Sequence, residues 1–194
     1  MDPLLTLTKN LQDSIAAKKR FLEDTGELAR FADAASDLIR RYAAGGRIYI
    51  AGNGGSAADA QHLAAEFVSK LARDRKPLAA EALTVDTSVL TAIGNDYGYD
   101  QIFARQIAGK MSDRDVFLGI TTSGNSPNIL RALEQCRRMN ILSIVFTGRG
   151  GGQAKALANH CVTASGEATS TIQELHIVLA HSLCECVEQA LFSY

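Results

Sequence analysis

Two stretches of the chain carry side chains that can move protons. Gln61-His62-Leu63-Ala64-Ala65-Glu66 sets an imidazole and a carboxylate four residues apart, on one face if the segment is helical. Further along, Gln173, Glu174, His176 and His181 supply an amide, a second carboxylate and two more imidazoles. Three of the four histidines fall in these two stretches; His160 stands alone before a weak apolar run and reads as structural. Such groups, with pKa values near the working pH, perform general acid–base catalysis, and the same atoms ligate divalent metals. His176 and His181 lie ~140° apart on a helix, so both cannot face one point. Spacing does not choose between them. Gln173 and His181 are separated by ~12 Å along a helix axis, so their side chains must lean toward each other to share a ligand.

Two glycine- and hydroxyl-rich loops accompany them. Gly52-Asn53-Gly54-Gly55-Ser56-Ala57 stands where an apolar run gives way to a helical pattern. Its glycines let backbone N–H groups approach an anion, and the following helix start adds about half a positive charge. The spacing also matches G-x-G-x-x-A, the dinucleotide fingerprint, which expects an acidic residue ~20 positions on, at the end of the next strand. Asp74 falls before that strand and Asp86 after it, so no nucleotide cofactor is expected. The second loop, Thr121-Thr122-Ser123-Gly124-Asn125-Ser126-Pro127, reads as hydroxyls leading into a helix with Ser126 as N-cap and Pro127 at its first position. Hydroxyls, a glycine and free amides can hold a phosphate without a nearby Lys or Arg.

The elements that must position these groups alternate strand and helix. Residues 1–45 read as helical, with apolar spacing clearest at Leu28, Phe31, Ala35, Leu38, Ile39 and Tyr42, and Gly45-Gly46 as a stop. Strands are expected at Arg47–Ala51, Ala79–Thr84, Asp115–Ile120, Ile141–Thr147 and Cys161–Ala164. Helices are expected from Ser56 to about Leu71, Pro127 to about Arg138, after Gly148–Gly152, and Ser170 to Leu191. This alternation predicts an α/β fold, a single doubly wound parallel sheet flanked by helices, with the N-terminal helices added. Ligands bind such sheets at the carboxyl ends of the strands, where both loops lie.

The bulk numbers agree with one compact domain over 1–194: 194 residues, 46% hydrophobic and 21% charged. A formal net charge of −1 gives no basic footprint for nucleic acid. The N-terminus lacks the layout of a signal peptide and no apolar run approaches the ~20 residues of a membrane span, so a cytoplasmic protein is expected. Cys136, Cys161, Cys184 and Cys186 show no CxxC spacing and read as reduced thiols.

Gly52–His62, the run TVDTSVLTAIGND from Thr84 to Asp96, Thr122–Ser126 and Ile172–His176 together resemble the phosphoheptose isomerases of the sugar-isomerase (SIS) family, in the right order over nearly the whole chain. The resemblance implies ketose–aldose isomerisation of sedoheptulose 7-phosphate to D-glycero-D-manno-heptose 7-phosphate through an enediol, the first step of lipopolysaccharide heptose biosynthesis. It implies a homotetramer with active sites between subunits, residues 1–45 packing in the oligomer, and one Zn2+ per subunit held by His62, Glu66, Gln173 and His181. Substrate contacts would fall on Asn53, Gly54, Gly55, Ser56, Asn95, Asp96, Thr121, Thr122, Ser123, Ser126 and Gln173, with Glu66 and His181 as the acid/base pair. Lys70 replaces a common Arg, Thr121 a common Ser, and Ala168-Thr169-Ser170-Thr171 lacks the Pro and Arg, or the Asp, often found there. Two rival readings share the scaffold: an isomerase for another phosphosugar, and a non-catalytic DnaA-associating relative, which lacks the helix Glu and the final His.

Overall fold

The computed structural model describes residues 2–192; Met1, Ser193 and Tyr194 at the ends of the expected 1–194 domain lie outside the described residues. Two long helices come first, α1 (Pro3–Glu23) and α2 (Thr25–Ala43). Asp2 and Asp24 cap them, each accepting from backbone amides of the first turn. Five parallel strands follow: β1 (Ile48–Gly52), β2 (Ala80–Ala82), β3 (Val116–Thr121), β4 (Leu142–Thr147) and β5 (His160–Thr163). Their order in the sheet is β2-β1-β3-β4-β5. The connecting helices are α3 (Gly55–Val68), α4 (Thr87–Tyr97), α5 (Ile102–Lys110), α6 (Pro127–Met139), the short α7 (Ala154–Leu157) and the closing α8 (Thr169–Leu191).

Strand periodicity divides the interior into two cores. Ile48 and Ile50, Val116, Leu118 and Ile120, and Ile144 and Phe146 point to one face and pack with α2, α3 and α8. Tyr49, Ala51, Phe117 and Val145 point to the other and pack with α5 and α6. This is the doubly wound sheet that the alternation predicts.

The strand order reverses between β1 and β3, which pair along their lengths from Ile48↔Val116 to Gly52↔Ile120. The chain leaves β1 toward α3 on one face and leaves β3 toward α6 on the other. The two loops therefore part at this point and leave a crevice at the carboxyl edge.

Three expectations are corrected. The strand over Ala79–Thr84 shrinks to Ala80–Ala82, an edge segment in register with Ile48–Ile50, because an alanine-rich run has little side chain to pack. The helix expected to reach Leu71 stops at Val68: the Phe67 carbonyl accepts from Leu78 N–H and from Arg75, so those oxygens do not carry a further turn. Residues 85–114, given no element from sequence, hold α4, a short 3-10 turn over Tyr99–Gln101, and α5. No residue of α4 is fully buried; Leu90 and Ile93 pack partly against the second core, a short stripe that does not stand out in sequence.

Candidate functional site

The helix starts are of two kinds. Asp2, Asp24 and Asp86 side chains cap α1, α2 and α4. The starts of α3, α6 and α8 carry no side-chain cap. Helix starts attract anions, and α3 and α6 start from the two loops that part at the switch point; their Ser56, Ala57 and Ile129 amides turn back to the Asn53, Gly54 and Ser126 carbonyls. Ser126 occupies the N-cap position of α6, but contrary to the sequence reading its hydroxyl does not cap; it pairs with Thr121 Oγ1 at 2.9 Å.

The loop after β3 is seated by backbone. Gly124 has φ +65°, and a Cβ there would overlap the Gly151 carbonyl, so only glycine fits. Asn125 ties the loop down: its side-chain oxygen accepts from Gln153 N–H at 3.0 Å, and its Nδ2 donates to the Ser123 carbonyl. Thr122 and Ser123 remain half-buried at the crevice edge.

Asn53 and Asn128 join the two walls in a reciprocal amide pair, with Asn53 Nδ2 donating to Asn128 Oδ1 at 2.9 Å and Asn128 Nδ2 to Asn53 Oδ1 at 2.8 Å. Tyr99 also donates its hydroxyl to Asn53 Oδ1. Asn128 and Tyr99 escaped the sequence reading; the position of Asn128 directly after Pro127, in the first turn of a helix at the binding edge, was the available signal. Gly54 stands at the N-cap of α3 with φ +56°, Gly55 opens the helix, and Ser56 is buried within it.

The proton-handling groups converge where α3 and α8 pack side by side. Gln173 lies against the backbone of Gly55, its Nε2 only 2.7 Å from where a Cβ would stand. Two turns along both helices, His62 Nε2 meets His181 Nε2 at 3.0 Å and Glu66 Oε1 at 3.2 Å. The donor atoms of His62, Glu66 and His181 all fall within 4.8 Å of one another. His62 is exposed, while Glu66 and His181 are half-buried. Two imidazole nitrogens and a carboxylate oxygen aimed at one volume suit a divalent metal such as zinc.

The other candidates separate from this cluster. His176 is buried and donates from Nε2 to the Thr147 carbonyl at 2.8 Å. Burial lowers its pKa to about 4 against that hydrogen bond, and Nδ1 has no partner among the described residues. It is a core histidine, so the choice that spacing left open falls to His181. Glu174 turns outward to Ser14 and Lys18 of α1. His160 pairs with Asp37 at 2.6 Å. Asn95 and Asp96, exposed in the last turn of α4, bond to each other. Lys70 is exposed just past the end of α3.

Known proteins share this fold and much of this sequence. Residues 11–148 match the family model described as SIS domain. The chain is 48% identical to phosphoheptose isomerase 2 of Campylobacter jejuni over 93% of its own length and 90% of the relative's. It is 46% identical to the phosphoheptose isomerase of Aneurinibacillus thermoaerophilus over 96% and 94%. Among solved structures it superposes on phosphoheptose isomerase GmhA from Neisseria gonorrhoeae with a TM-score of 0.89 at 37% identity, covering 96% of this chain and 99% of that one. A phosphoheptose isomerase from Francisella tularensis gives 0.92 at 34%, covering 97% and 100%. A parallel sheet with a loop-lined switch point, an imidazole–carboxylate cluster between the flanking helices and relatives matched end to end lead to one assignment: the chain belongs to the phosphoheptose isomerases, sugar-phosphate isomerases of the SIS-domain family.

Proposed function

We propose that the chain interconverts sedoheptulose 7-phosphate and D-glycero-D-manno-heptose 7-phosphate, the step that opens ADP-heptose synthesis for lipopolysaccharide, in the cytoplasm. The observation that carries the reading is the meeting of His62, Glu66 and His181 on helices whose starts carry no side-chain cap. The starts of α3 and α6, which carry no side-chain cap, with the hydroxyls of Thr121, Thr122, Ser123, Ser126 and Ser56, hold the phosphate. Asn53, Gly54, Gly55, Asn95, Asp96 and Gln173 complete the substrate contacts.

The spacing supports a long sugar. His62 lies seven residues beyond Gly55 and His181 eight beyond Gln173, which puts the cluster ~10–12 Å along the helices from their starts. With bonds of ~1.5 Å, an extended heptose phosphate spans a similar length between its carbonyl end and its phosphorus. Glu66 and His181 then stand at C1 and C2. One takes a proton from C1 of the ketose while O2 is protonated, giving the enediol. The proton returns to C2 as O1 loses its own, and the aldehyde forms at C1. Zn2+ would be held by His62, Glu66 and His181, joined in this reading by Gln173, whose side-chain amide here lies against Gly55, and would supply Lewis-acid polarisation of the carbonyl.

The working unit in this reading is a homotetramer of one SIS domain per chain, residues 1–194, with sites shared between subunits. Leu4, Leu11, Ile15 and Leu22 of α1 are 55–71% exposed and recur at heptad-like spacing, as an apolar face awaiting another helix would. No helix among the described residues is long and apolar enough to cross a membrane.

The test is direct: incubate Zn2+-loaded protein with sedoheptulose 7-phosphate, with and without chelator, and follow the aldoheptose phosphate by NMR. Turnover that chelator abolishes is expected, with a five-carbon ketose phosphate turned over at least ~10-fold less well. A metal-loaded protein with no turnover of the heptulose phosphate overturns the proposal.

A further inference from the structure

Glu66 and His181 come from different helices, so whatever fixes α3 against α8 also fixes the gap between them. One buried ion pair does this. Arg75 and Glu188 have side chains 1% and 2% exposed, with Arg75 Nε donating to Glu188 Oε1 at 2.8 Å. The guanidinium also donates to the end of α3: Nη2 bonds the carbonyl of Glu66 itself at 2.8 Å, and Nη1 bonds that of Phe67 at 2.7 Å as well as that of Lys76 at 3.2 Å. The Glu66 and Phe67 carbonyls lie in the last turn, where no intrahelical partner remains. On the other side, Glu188 accepts the amides of Leu71 at 3.0 Å and Ala72 at 3.2 Å. It stands seven residues after His181, two turns along the same side of α8.

Burial alone would push the Glu188 carboxyl up, but the two amides and the guanidinium outweigh it and hold it below the ordinary carboxylate value. The pair is therefore ionised and fully bonded. The Phe192 ring lies 5.8 Å from the guanidinium carbon, and the Cys184 thiol also meets the guanidinium. A buried ion pair gives little net stability over apolar side chains of equal volume. What apolar side chains cannot do is bond the Glu66 carbonyl.

We propose that Arg75 and Glu188 are positioning residues for the acid/base pair, a buried clasp that locks the turn of α3 bearing Glu66 to the turns of α8 below His181. The proposal rests on the roles given above to Glu66 and His181. Neither residue touches the crevice loops, so the clasp governs the chemical end of the site and leaves the phosphate end alone.

The test compares wild type with Arg75→Met/Glu188→Leu, which removes both charges together, and with Arg75→Lys, which keeps the charge but loses the fork. Melting temperature, kcat, KM for sedoheptulose 7-phosphate, and Zn2+ affinity by competition with a chromophoric chelator are read for each. A double variant that melts close to wild type is expected to lose ~10–100-fold in kcat and in Zn2+ affinity, the range for groups that orient ligands, with KM unchanged. Arg75→Lys is expected to show the same split, and it carries the test if the double variant does not fold. Either folded variant with kcat and affinity within ~2-fold of wild type overturns the proposal. Wild type that binds Zn2+ without turnover removes the catalytic reading of Glu66 and His181, and the clasp then stands or falls on affinity alone. Wild type that does neither overturns both.

Discussion

The two helices that make the site, with the loop that follows α3, carry polar groups of opposite character. Arg75, Glu188 and His176 look inward: all three side chains are nearly inaccessible, and two of them exhaust their hydrogen bonds on backbone and on each other. His62, Glu66 and His181 look outward, with donor atoms gathered in one small volume and few protein partners. Polar atoms that a fold satisfies hold it together; those it gathers and leaves open await something else. Helix starts divide as well: aspartates cap α1, α2 and α4, while α3, α5, α6, α7 and α8 carry no side-chain cap.

The largest expected effect breaks the inward set. Arg75→Met alone strands the Glu188 carboxylate in an apolar interior and should cost ~3–5 kcal/mol in denaturant unfolding. His62→Ala, in the outward set, should cost under ~1 kcal/mol. Equal losses would erase the distinction.

The next effect is acid lability through His176. The folded chain keeps this imidazole neutral down to about 4, whereas the unfolded chain takes up the proton near ~6.5. Stability is therefore flat above that value, falls as pH drops below it, and is reduced by roughly 3 kcal/mol once pH is under about 4. His160, whose pKa burial also lowers, adds in the same direction. Unfolding of His176→Gln across this range should show a shallower slope; an unchanged slope would assign the lability elsewhere.

Glu66→Gln and His181→Gln should leave melting temperature unchanged and cut turnover by at least ~100-fold, about 2.7 kcal/mol of barrier. Near-normal rates in both would move the proton transfer to other groups. The smallest contrast concerns helix starts. Asp86→Ala should cost ~1 kcal/mol of stability, while Ser126→Ala should cost under ~0.5 kcal/mol and show instead as a several-fold rise in KM for the phosphosugar.

What could be read from the sequence follows the same inward and outward logic. The strands of both cores were legible because β-branched and aromatic runs between glycines have few other uses, and the crevice loops because glycines and hydroxyls cluster before helix starts. His62 and Glu66 declared themselves by spacing on one helix. His176 against His181 did not, because the choice depends on which side of α8 meets the sheet. Arg75 and Glu188 gave no local signal, being far apart in sequence, although the seven-residue interval from His181 to Glu188 marks them in hindsight. Asn128 hid behind the more conspicuous Ser126-Pro127.

The helix α4 has a consequence for how such a protein behaves on dilution. No residue of it is fully buried, and only Leu90 and Ile93 pack partly against the second core, so it draws modest stability from the rest of the chain. In the proposed tetramer, contacts from neighbouring copies would add to that and would be lost as concentration falls. Specific activity would then decline at low protein concentration before the central sheet unfolds, as the placement of Asn95 and Asp96 loosens.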